Sequence, residues 1–166
     1  LCCGAFLAGA FFFFVYVSWR TKCHIWSTNM ISGPDLLKNN KPDAVIIATP
    51  NQFHEKHTSS FLKAKIPVLL EKPISDNILS AKKIINNSKK NKTHVLIEYN
   101  RRHNSIVTSL KKKIESGQLG KIVSANVMCW VYKHKDYFKE KWRIKKGGGP
   151  LGINLVHDID LICYLL

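Results

Sequence analysis

The chain has 166 residues, 45% of them apolar, and its 26 Lys and Arg against 11 Asp and Glu give a net charge of +15. This length is that of about one domain and can bury a core, and the apolar fraction and four Trp argue against disorder along most of the chain. Nine glycines without a period exclude collagen, and the lack of a repeat of about 20–50 residues argues against a solenoid. Because the chain begins with Leu and ends in an apolar run, we interpret it as a piece of a longer protein.

The lysines are scattered along the chain rather than gathered in one patch. Groups such as 82–83, 89–90 and 111–113 fall on predicted helix faces, where solvated charge is ordinary. No base-stacking aromatic residues or nucleic-acid motif accompany them, so we predict no nucleic-acid partner. The five cysteines are odd in number and lack Cys-x-x-Cys spacing, and this predicts reduced thiols and a cytoplasmic protein.

The first 19 residues carry no charge, and about 20 such residues are needed to span a bilayer. Arg20 and Lys22 follow, so a membrane anchor with a cytosolic remainder is one interpretation. The borderline length favours the alternatives, a buried strand or helix or a stretch foreign to the native protein. Gly33-Pro34 is a turn signal, and we treat residues 1–34 as a separate apolar segment.

A short helix is predicted at 35–39, and three apolar runs of strand length follow, at Asp43–Ala48, Ile66–Leu70 and Thr93–Ile97. Helical spacing at residues 54–64, and again after a predicted cap at Ser75, separates these runs. The β-α-β-α-β order predicts an α/β fold: an incomplete Rossmann-like parallel sheet, with strands buried on both faces and helices on both sides. Ligands bind at the carboxyl ends of such strands, which here carry polar residues at 49–51, 71–73 and 98–100.

The pattern changes after residue 102. We predict a helix at 104–116 ended by Gly117, a long strand from Ile122 to Tyr132, and a basic, aromatic segment at 133–146. Glycines 147–149 then precede an apolar helix from about Leu151. They lack the Gly-Lys-Ser/Thr of a phosphate-binding loop, but allow a ligand to approach closely.

Lys72 and His157 are the strongest candidates for chemistry. Lys72 ends a predicted strand at the ligand edge, where its ammonium can meet a substrate oxygen; the alternative is an exposed ion pair with Glu71. His157 is the best general base, with a buried structural histidine as its alternative. Asn154 shares its helix face and can hold a substrate hydroxyl or bond a neighbouring helix. The other histidines lack the spacing of metal ligands, so we predict no metal site.

Five motifs occur in order over three quarters of the chain: Asp-Ala-Val-Ile-Ile-Ala-Thr-Pro-Asn at 43–51 with His54, Val-Leu-Leu-Glu-Lys-Pro at 68–73, Tyr-Asn-Arg-Arg at 99–102, Gly-Gly-Gly-Pro at 147–150, and Ile-Asn-Leu-Val-His-Asp-Ile-Asp at 153–160. Together they resemble the glucose–fructose oxidoreductase, inositol dehydrogenase and rhizopine catabolism (Gfo/Idh/MocA) family. The resemblance implies that residues 35–102 are the C-terminal part of an NAD(P)-binding Rossmann domain. Residues 103–166 would begin an α+β open-sheet domain for substrate binding and oligomerisation.

The resemblance also implies hydride transfer between NAD or NADP and a sugar or polyol, by a protein that is a homo-oligomer at full length. The residues that it implies for the cofactor are Thr49, Pro50, Asn51 and His54 beside the pyrophosphate and ribose, Glu71 and Lys72 at the nicotinamide, and Trp142 and Arg143 in a cofactor-side loop. Lys72 would touch the reacting oxygen, His157 would be the acid or base, and Asn154 would hold a substrate hydroxyl.

Two features depart from the family pattern. Residues 1–42 contain no Gly-x-Gly-x-x-Gly, so the pyrophosphate loses its helix N-terminus, and we expect this chain to bind cofactor weakly or not at all. Ile153 stands where the family has an acid, four residues before the histidine, so proton transfer falls to His157 and Lys72. The alternative function is that of a non-catalytic or decayed family member acting as a binding or interaction module.

Overall fold

A five-stranded sheet organises the first part of the chain in the computed structural model, which describes residues 13–17, 24–27, 37, 42–145 and 149–166. The strands are β1 (Phe13–Val17), β2 (His24–Ser27), β3 (Ala44–Ala48), β4 (Val68–Leu70) and β5 (Val95–Ile97), in the spatial order β2-β1-β3-β4-β5. Strands β3, β4 and β5 run parallel. The predicted α/β fold with a parallel sheet is therefore confirmed.

Two crossover helices, α1 (His54–Lys63) and α2 (Ile78–Asn91), connect the parallel strands. They contact each other, and Asn87 Nδ2 of α2 donates a hydrogen bond to Ser59 Oγ of α1 at 2.8 Å. Successive right-handed crossovers that advance in one direction across a sheet place their helices on the same face. The fully buried side chains form one core cluster on that face: Val45, Ile47, Phe61, Leu62, Ile66, Val68, Leu70 and Ile84.

The opposite face of the parallel strands is less covered than predicted. Ile46 and Leu69 alternate with the core residues and are only half-buried, and Leu96 is exposed. Among the described residues, β3 and β4 are thus fully buried on one face only, and β5 is partly buried on that face. The expectation of burial and helices on both faces is wrong for the described part of the sheet. A continuous apolar run cannot tell one buried face from two.

The amino-terminal strands form an antiparallel hairpin at the edge of the sheet. Strand β1 runs antiparallel to both β2 and β3, with Phe13 beside Ala48 and Val17 beside Ala44. Five of the first 19 residues therefore form a strand, and the others lie outside the described residues, as do most of residues 35–39. Within the described part of the chain, no helix combines the length and apolar character that a bilayer crossing requires.

The start of α2 differs from the prediction. Asn77, not Ser75, caps the helix: its backbone is extended, and its Oδ1 accepts a hydrogen bond from Ser80 N at 2.9 Å. The Ser75 hydroxyl instead donates to Asp76 Oδ1 at 3.1 Å. Ser and Asn are comparable capping residues, so local backbone conformation decides between them. The helix ends at Asn91, and the following Lys92 caps it in a left-handed conformation (φ +51°).

The second part of the chain is helical and irregular. A 3₁₀ turn at Asn100–His103 leads into α3 (Ser105–Glu115), which confirms the predicted helix. Shorter 3₁₀ turns at Lys135–Lys139 and Lys141–Ile144 follow. A π-helical turn at Leu151–Leu155 then opens into α4 (Val156–Leu165), the predicted apolar helix.

The predicted strand Ile122–Tyr132 does not form. No described segment pairs with it, and every residue from Lys121 to Tyr132 is exposed, Val123 by 91% and Trp130 by 88%. Preference for a strand reflects how a side chain fits a half-buried pleated surface, and a strand also needs a neighbour for its main-chain groups. Here neither condition is met.

Candidate active site

The carboxyl ends of the three parallel strands meet at one edge of the sheet, as predicted. Thr49 follows β3, Glu71 follows β4 and Glu98 follows β5. Main-chain bonds fix this order, because Glu71 N donates to Ile47 O at 2.8 Å and Glu98 N to Leu70 O at 2.9 Å. The buried Thr49 Oγ1 has no hydrogen-bond partner among the described residues, so this hydroxyl can serve a ligand at the edge.

His54, the first residue of α1, lies beneath this edge and is only 1% exposed. Its Nε2 is 2.7 Å from Thr49 O, and its Nδ1 is 2.9 Å from Pro73 O. Burial lowers the pKa of His54, while the neighbouring carbonyl oxygens oppose that shift because they favour the protonated ring. The ring thus ties the end of β3 to the loop after β4. Its contact with a cofactor stays a prediction that this burial does not favour.

Lys72 reaches from the end of β4 to the last helical segment. Its Nζ donates a hydrogen bond to Ile153 O at 2.8 Å, across 81 residues of sequence. Burial lowers the pKa of Lys72, and the Glu71 and Glu98 carboxylates oppose this shift. The main-chain N of Lys72 donates to Glu71 Oε2 at 3.2 Å. The ammonium therefore does not form a simple exposed pair with Glu71, but lies where two parts of the chain meet.

His157 lies on α4, four residues beyond the Lys72 contact at Ile153. Its half-buried ring meets the ring of Tyr99 edge-on, at 6.3 Å between centroids. Burial lowers the pKa of His157, and the positive charges of Lys72 and Arg101 lower it further. The Nδ1 atom is buried and has no hydrogen-bond partner among the described residues. A neutral imidazole with an unused nitrogen is suited to accept a proton.

Two arginines position α4 against the end of β5. Arg101 Nη1 forms an ion pair with Asp158 at 2.5 Å. Arg102 binds Asp160 through both carboxylate oxygens, with its Nε at 2.7 Å from Oδ2. The guanidinium of Arg102 also lies 5.1 Å from the centre of the Tyr164 ring. These contacts fix the rotation of α4 and so direct His157 toward the strand edge.

Arg101 and Arg102 had no assigned role in the sequence analysis, although they belong to the Tyr-Asn-Arg-Arg motif. Their partners lie 57 and 58 positions away, beyond any local spacing rule. The signal that could have found them was the pattern itself. Two adjacent cations follow a strand end, and Asp158 and Asp160 flank the candidate histidine's helix face.

The remaining predicted residues are distributed as follows. Asn154 is half-buried on the π-helical turn before His157, and its side-chain amide bonds no described residue. Pro50 and the buried Asn51 begin a 3₁₀ turn directly after β3. Neither the side chain of Trp142 nor Gly147 and Gly148 fall within the described residues.

Arg143 is held by a neighbouring aromatic ring. Its Nη1 donates to Tyr137 O at 3.0 Å, and its guanidinium lies 4.3 Å from the centre of the Tyr137 ring. Lys133 Nζ lies 4.7 Å from the same ring centre. The charge of Lys133 in turn contributes to lowering the pKa of Lys72, after burial. The basic segment therefore approaches the site through Lys133.

No group of three or more His, Cys, Asp or Glu side chains within the described residues is arranged to hold a metal ion. His54 bonds main-chain oxygens instead, and His57 is buried on the next turn of α1.

Comparison with known proteins identifies the family. The sequence profile of an oxidoreductase family with an NAD-binding Rossmann fold, Gfo/Idh/MocA, matches residues 18–99. The profile of the Gfo/Idh/MocA C-terminal domain matches residues 107–166. The chain belongs to the Gfo/Idh/MocA family of oxidoreductases. The family resemblance and the NAD-binding Rossmann fold predicted from the sequence are therefore confirmed.

Curated relatives and a solved structure agree with this assignment. Inositol 2-dehydrogenase of Corynebacterium glutamicum (strain R) is 34% identical over 90 residues, which are 54% of this chain and 27% of that protein. Glucose-6-phosphate 3-dehydrogenase of Bacillus subtilis is 30% identical over 130 residues, 74% of this chain and 36% of that protein. The WlbA dehydrogenase of Bordetella pertussis, crystallised with NADH and UDP-GlcNAcA, superposes with a TM-score of 0.73 at 26% identity, over 80% of this chain and 39% of its own. The chain spans less than half the length of each.

Proposed function

We propose that this protein, at full length, transfers a hydride between a nicotinamide cofactor and a carbon of a sugar or polyol. The hydroxyl-bearing carbon loses a hydride to the cofactor, the hydroxyl loses its proton to the protein, and a carbonyl results. One observation carries the proposal. Lys72 at the end of β4 bonds the main chain at Ile153, one turn before His157, so an ammonium and an imidazole share one strand edge.

The residues at this edge fit the ribose and nicotinamide part of such a cofactor. The Thr49 hydroxyl and the His157 Nδ1 are buried polar atoms with no partner among the described residues. A bound nicotinamide supplies the two-electron chemistry, while the protein supplies position and electric field. The pyrophosphate end is different, because β1 runs antiparallel to β3 and so does not enter a strand–turn–helix phosphate cradle at this edge.

His157 and Lys72 have complementary tasks in this chemistry. His157 is neutral near pH 7, since burial and nearby cations lower its pKa, and it accepts the hydroxyl proton. Lys72 stabilises the negative charge that develops on the substrate oxygen, with N–H groups beyond the one that Ile153 accepts. The Asn154 amide, one helical turn before His157, orients the same hydroxyl.

Ile153 supports these separate roles of His157 and Lys72. The family has an acid four residues before the histidine, and the apolar side chain here cannot move a proton. Ile153 still bonds Lys72, through a main-chain oxygen that any residue would offer. The position of the ammonium is therefore kept without a carboxylate, and His157 is the proton acceptor.

The test of the proposal is Lys72→Ala in the full-length protein, assayed for reduced nicotinamide with a panel of sugars and polyols. We expect turnover to fall by at least about 100-fold, with little loss of cofactor affinity, because the lost contribution is electrostatic and acts on the reacting oxygen. Lys82→Ala, on the exposed side of α2, is the matched control. Wild-type turnover in Lys72→Ala would remove Lys72 from the mechanism.

A second test begins with a titration that needs no substrate. In the 166-residue chain, the pKa of His157, read from its ring resonances by NMR, should lie below 6.5 and should rise in Lys72→Met, because a nearby cation is removed. In the full-length protein the acidic limb of the oxidation rate should move to higher pH in parallel. An unchanged His157 titration in Lys72→Met would mean that the two groups do not share a site.

The missing glycine-rich motif favours a second candidate, a family member that no longer binds cofactor and acts as a binding module. The antiparallel course of β1 is the specific observation. The 166-residue chain and the full-length protein are each titrated with NADH and followed by fluorescence, which compares their affinities for the cofactor. We expect a Kd weaker than about 1 mM for the chain. The same weak binding by the full-length protein would favour the second candidate.

Three further predictions stand as proposals: the division at residues 34 and 102, the cytoplasmic location and the homo-oligomeric state of the full-length protein. The cysteine pattern supports the location, and the family resemblance supports the oligomer and the division.

A further inference from the structure

Glu71 and Glu98 occupy equivalent positions on adjacent parallel strands. Leu70 of β4 pairs with Ile97 of β5, and each glutamate is the next residue after its strand. Main-chain bonds carry the ladder to this level, since Glu98 N donates to Leu70 O at 2.9 Å. Neighbouring side chains at one level of a sheet are about 5 Å apart at Cβ. The two carboxyl groups therefore lie next to each other at the ligand edge.

The surroundings make two ionised carboxylates costly at this place. Both side chains are half-buried. Burial raises the pKa of Glu71, and the neighbouring Glu98, through its charge and a hydrogen bond between the two side chains, raises it further; Lys72 opposes the shift. Two carboxyl groups so placed can form a mutual hydrogen bond only if one of them is protonated.

We propose that Glu71 and Glu98 share a single proton over a pH range above that in which an isolated glutamate loses its own, and that the pair's one negative charge balances the Lys72 ammonium at the candidate active site. Glu98 is then a positioning residue that acts on Lys72 through Glu71. The consequence for Lys72 rests on the proposed function, whereas the shared proton does not.

The charges facing the pair favour one negative charge over two. Lys72 is the adjacent cation, and Arg101 and Lys133 are the further cations whose charges reach Lys72. Arg101 is already paired with Asp158. His157, on α4, is held neutral near pH 7 and adds no positive charge. With one proton bound, the pair carries one negative charge, which the positive charge of Lys72 balances. Loss of that proton would add a second negative charge that Lys72 does not balance.

The test is a pH titration of the 166-residue chain carrying ¹³C-labelled glutamate, followed by NMR at the side-chain carboxyl carbons. In the wild type we expect the Glu71 resonance to report two steps, the upper one well above pH 4.5, because the steps belong to the pair. In Glu98→Gln the remaining Glu71 should show one step, at a midpoint at least about one pH unit below the wild-type upper step.

Glu115→Gln, on the exposed end of α3, is the matched control and should leave both steps unchanged. A single Glu71 step near pH 4.5 in the wild type would overturn the proposal. So would a Glu71 midpoint that does not move in Glu98→Gln. Circular dichroism of each variant shows that the compared chains are folded.

A second measurement addresses the effect on Lys72. The pH dependence of turnover in the full-length protein should contain an inflection at the upper step, and Glu98→Gln should remove it. If the two titration steps are present but the full-length protein has no dehydrogenase activity, the proposed function fails and the shared proton stands. If activity is present and the two steps are absent, only the shared proton fails.

Discussion

The part of the chain that contains Lys72 and the part that contains His157 are held together by different interactions. Around Lys72, a cluster of buried apolar side chains on β3, β4, α1 and α2 fixes the strand ends. Around His157, no described residue after Thr93 is fully buried. There α4 is held by the pairs Arg101–Asp158 and Arg102–Asp160 and by aromatic rings. One half of the site is thus positioned by apolar packing and the other by charge.

Because of this difference, the two parts of the site should respond differently to salt and pH. Apolar burial is insensitive to salt and pH, whereas partly exposed ion pairs are screened by salt and lost when carboxylates are protonated. The relative position of the ammonium and the imidazole should therefore respond to solution conditions mainly through α4.

The largest effect should come from the core. Phe61 is fully buried between α1 and the sheet, and Phe61→Ala should lower the free energy of unfolding by about 3–5 kcal/mol, since it removes buried area and leaves a cavity. Urea unfolding measures it. Ile106→Ala, at an exposed apolar position of α3, should change that free energy by less than about 0.5 kcal/mol. Equal losses in the two variants would contradict the contrast between the two parts.

The next effect is acid sensitivity within the apolar part. Burial, with help from the charges of Lys56 and His54, lowers the pKa of His57 to about 4 from 6.5. The folded state keeps this ring neutral while the unfolded state binds a proton below pH 6.5. The contribution of His57 to stability is therefore complete above pH 6.5 and falls as the pH drops from 6.5 toward about 4, by about 3 kcal/mol.

His57→Gln should reduce this pH dependence, while the exposed His94→Gln should not. Urea unfolding at several pH values between 4 and 7 measures both variants. A wild-type stability that stays flat over this window would contradict the prediction.

A smaller and local effect should come from the charged part. Arg102→Met removes the partner of Asp160, whose side chain is only 8% exposed, and should cost about 1–2 kcal/mol. Hydrogen exchange should accelerate in α4 and remain unchanged in α1. Arg102→Lys keeps the positive charge but cannot bind both carboxylate oxygens of Asp160. Its loss of stability and its exchange rate in α4 should therefore lie between those of the wild type and those of Arg102→Met. Acceleration of α1 by the same factor as α4 would show that the two parts unfold as one.

The smallest effects should come from the residues that cap the N-termini of one helix in each part. Asn77→Ala should lower the free energy of unfolding of the whole fold by about 1 kcal/mol, because α2 contributes Ile84 to the core. Asn104→Ala removes an equivalent cap from α3 and should loosen that helix alone. Urea unfolding and amide exchange together distinguish the two results, and a larger loss in Ser75→Ala than in Asn77→Ala would reverse the assignment of the cap.

The parallel part of the fold was predictable because its signals are local. Three apolar runs separated by helical spacing gave β3, β4 and β5 within two residues of their ends. The strand Ile122–Tyr132 was wrong because its residue types favour a strand only beside a neighbour, and sequence spacing does not say whether one is present. The prediction of a cap at Ser75 was wrong because three residues of capping type, Ser75, Asp76 and Asn77, follow one another.

The candidate site was predictable to the same extent. The strand-end rule drew attention to Thr49, Lys72 and Glu98 without coordinates. It could not reveal that the backbone of Ile153, rather than a side chain, receives the Lys72 ammonium. Nor could it reveal the pairing of Arg102 with a residue 58 positions away, since such contacts depend on how separate elements meet.

The buried ring of His54 bears on how mutations in this family should be interpreted. Its two nitrogens lie within hydrogen-bond distance of the carbonyl oxygens of Thr49 and Pro73, and so connect the loop after β3 with the loop after β4. A saturation screen scored by growth or product would rank this histidine alongside the groups that touch the reactant. Its loss would also free the two loops that carry Thr49 and Lys72 from each other. A residue's rank in such a screen therefore does not by itself distinguish a residue that touches the reactant from one that holds other residues in place.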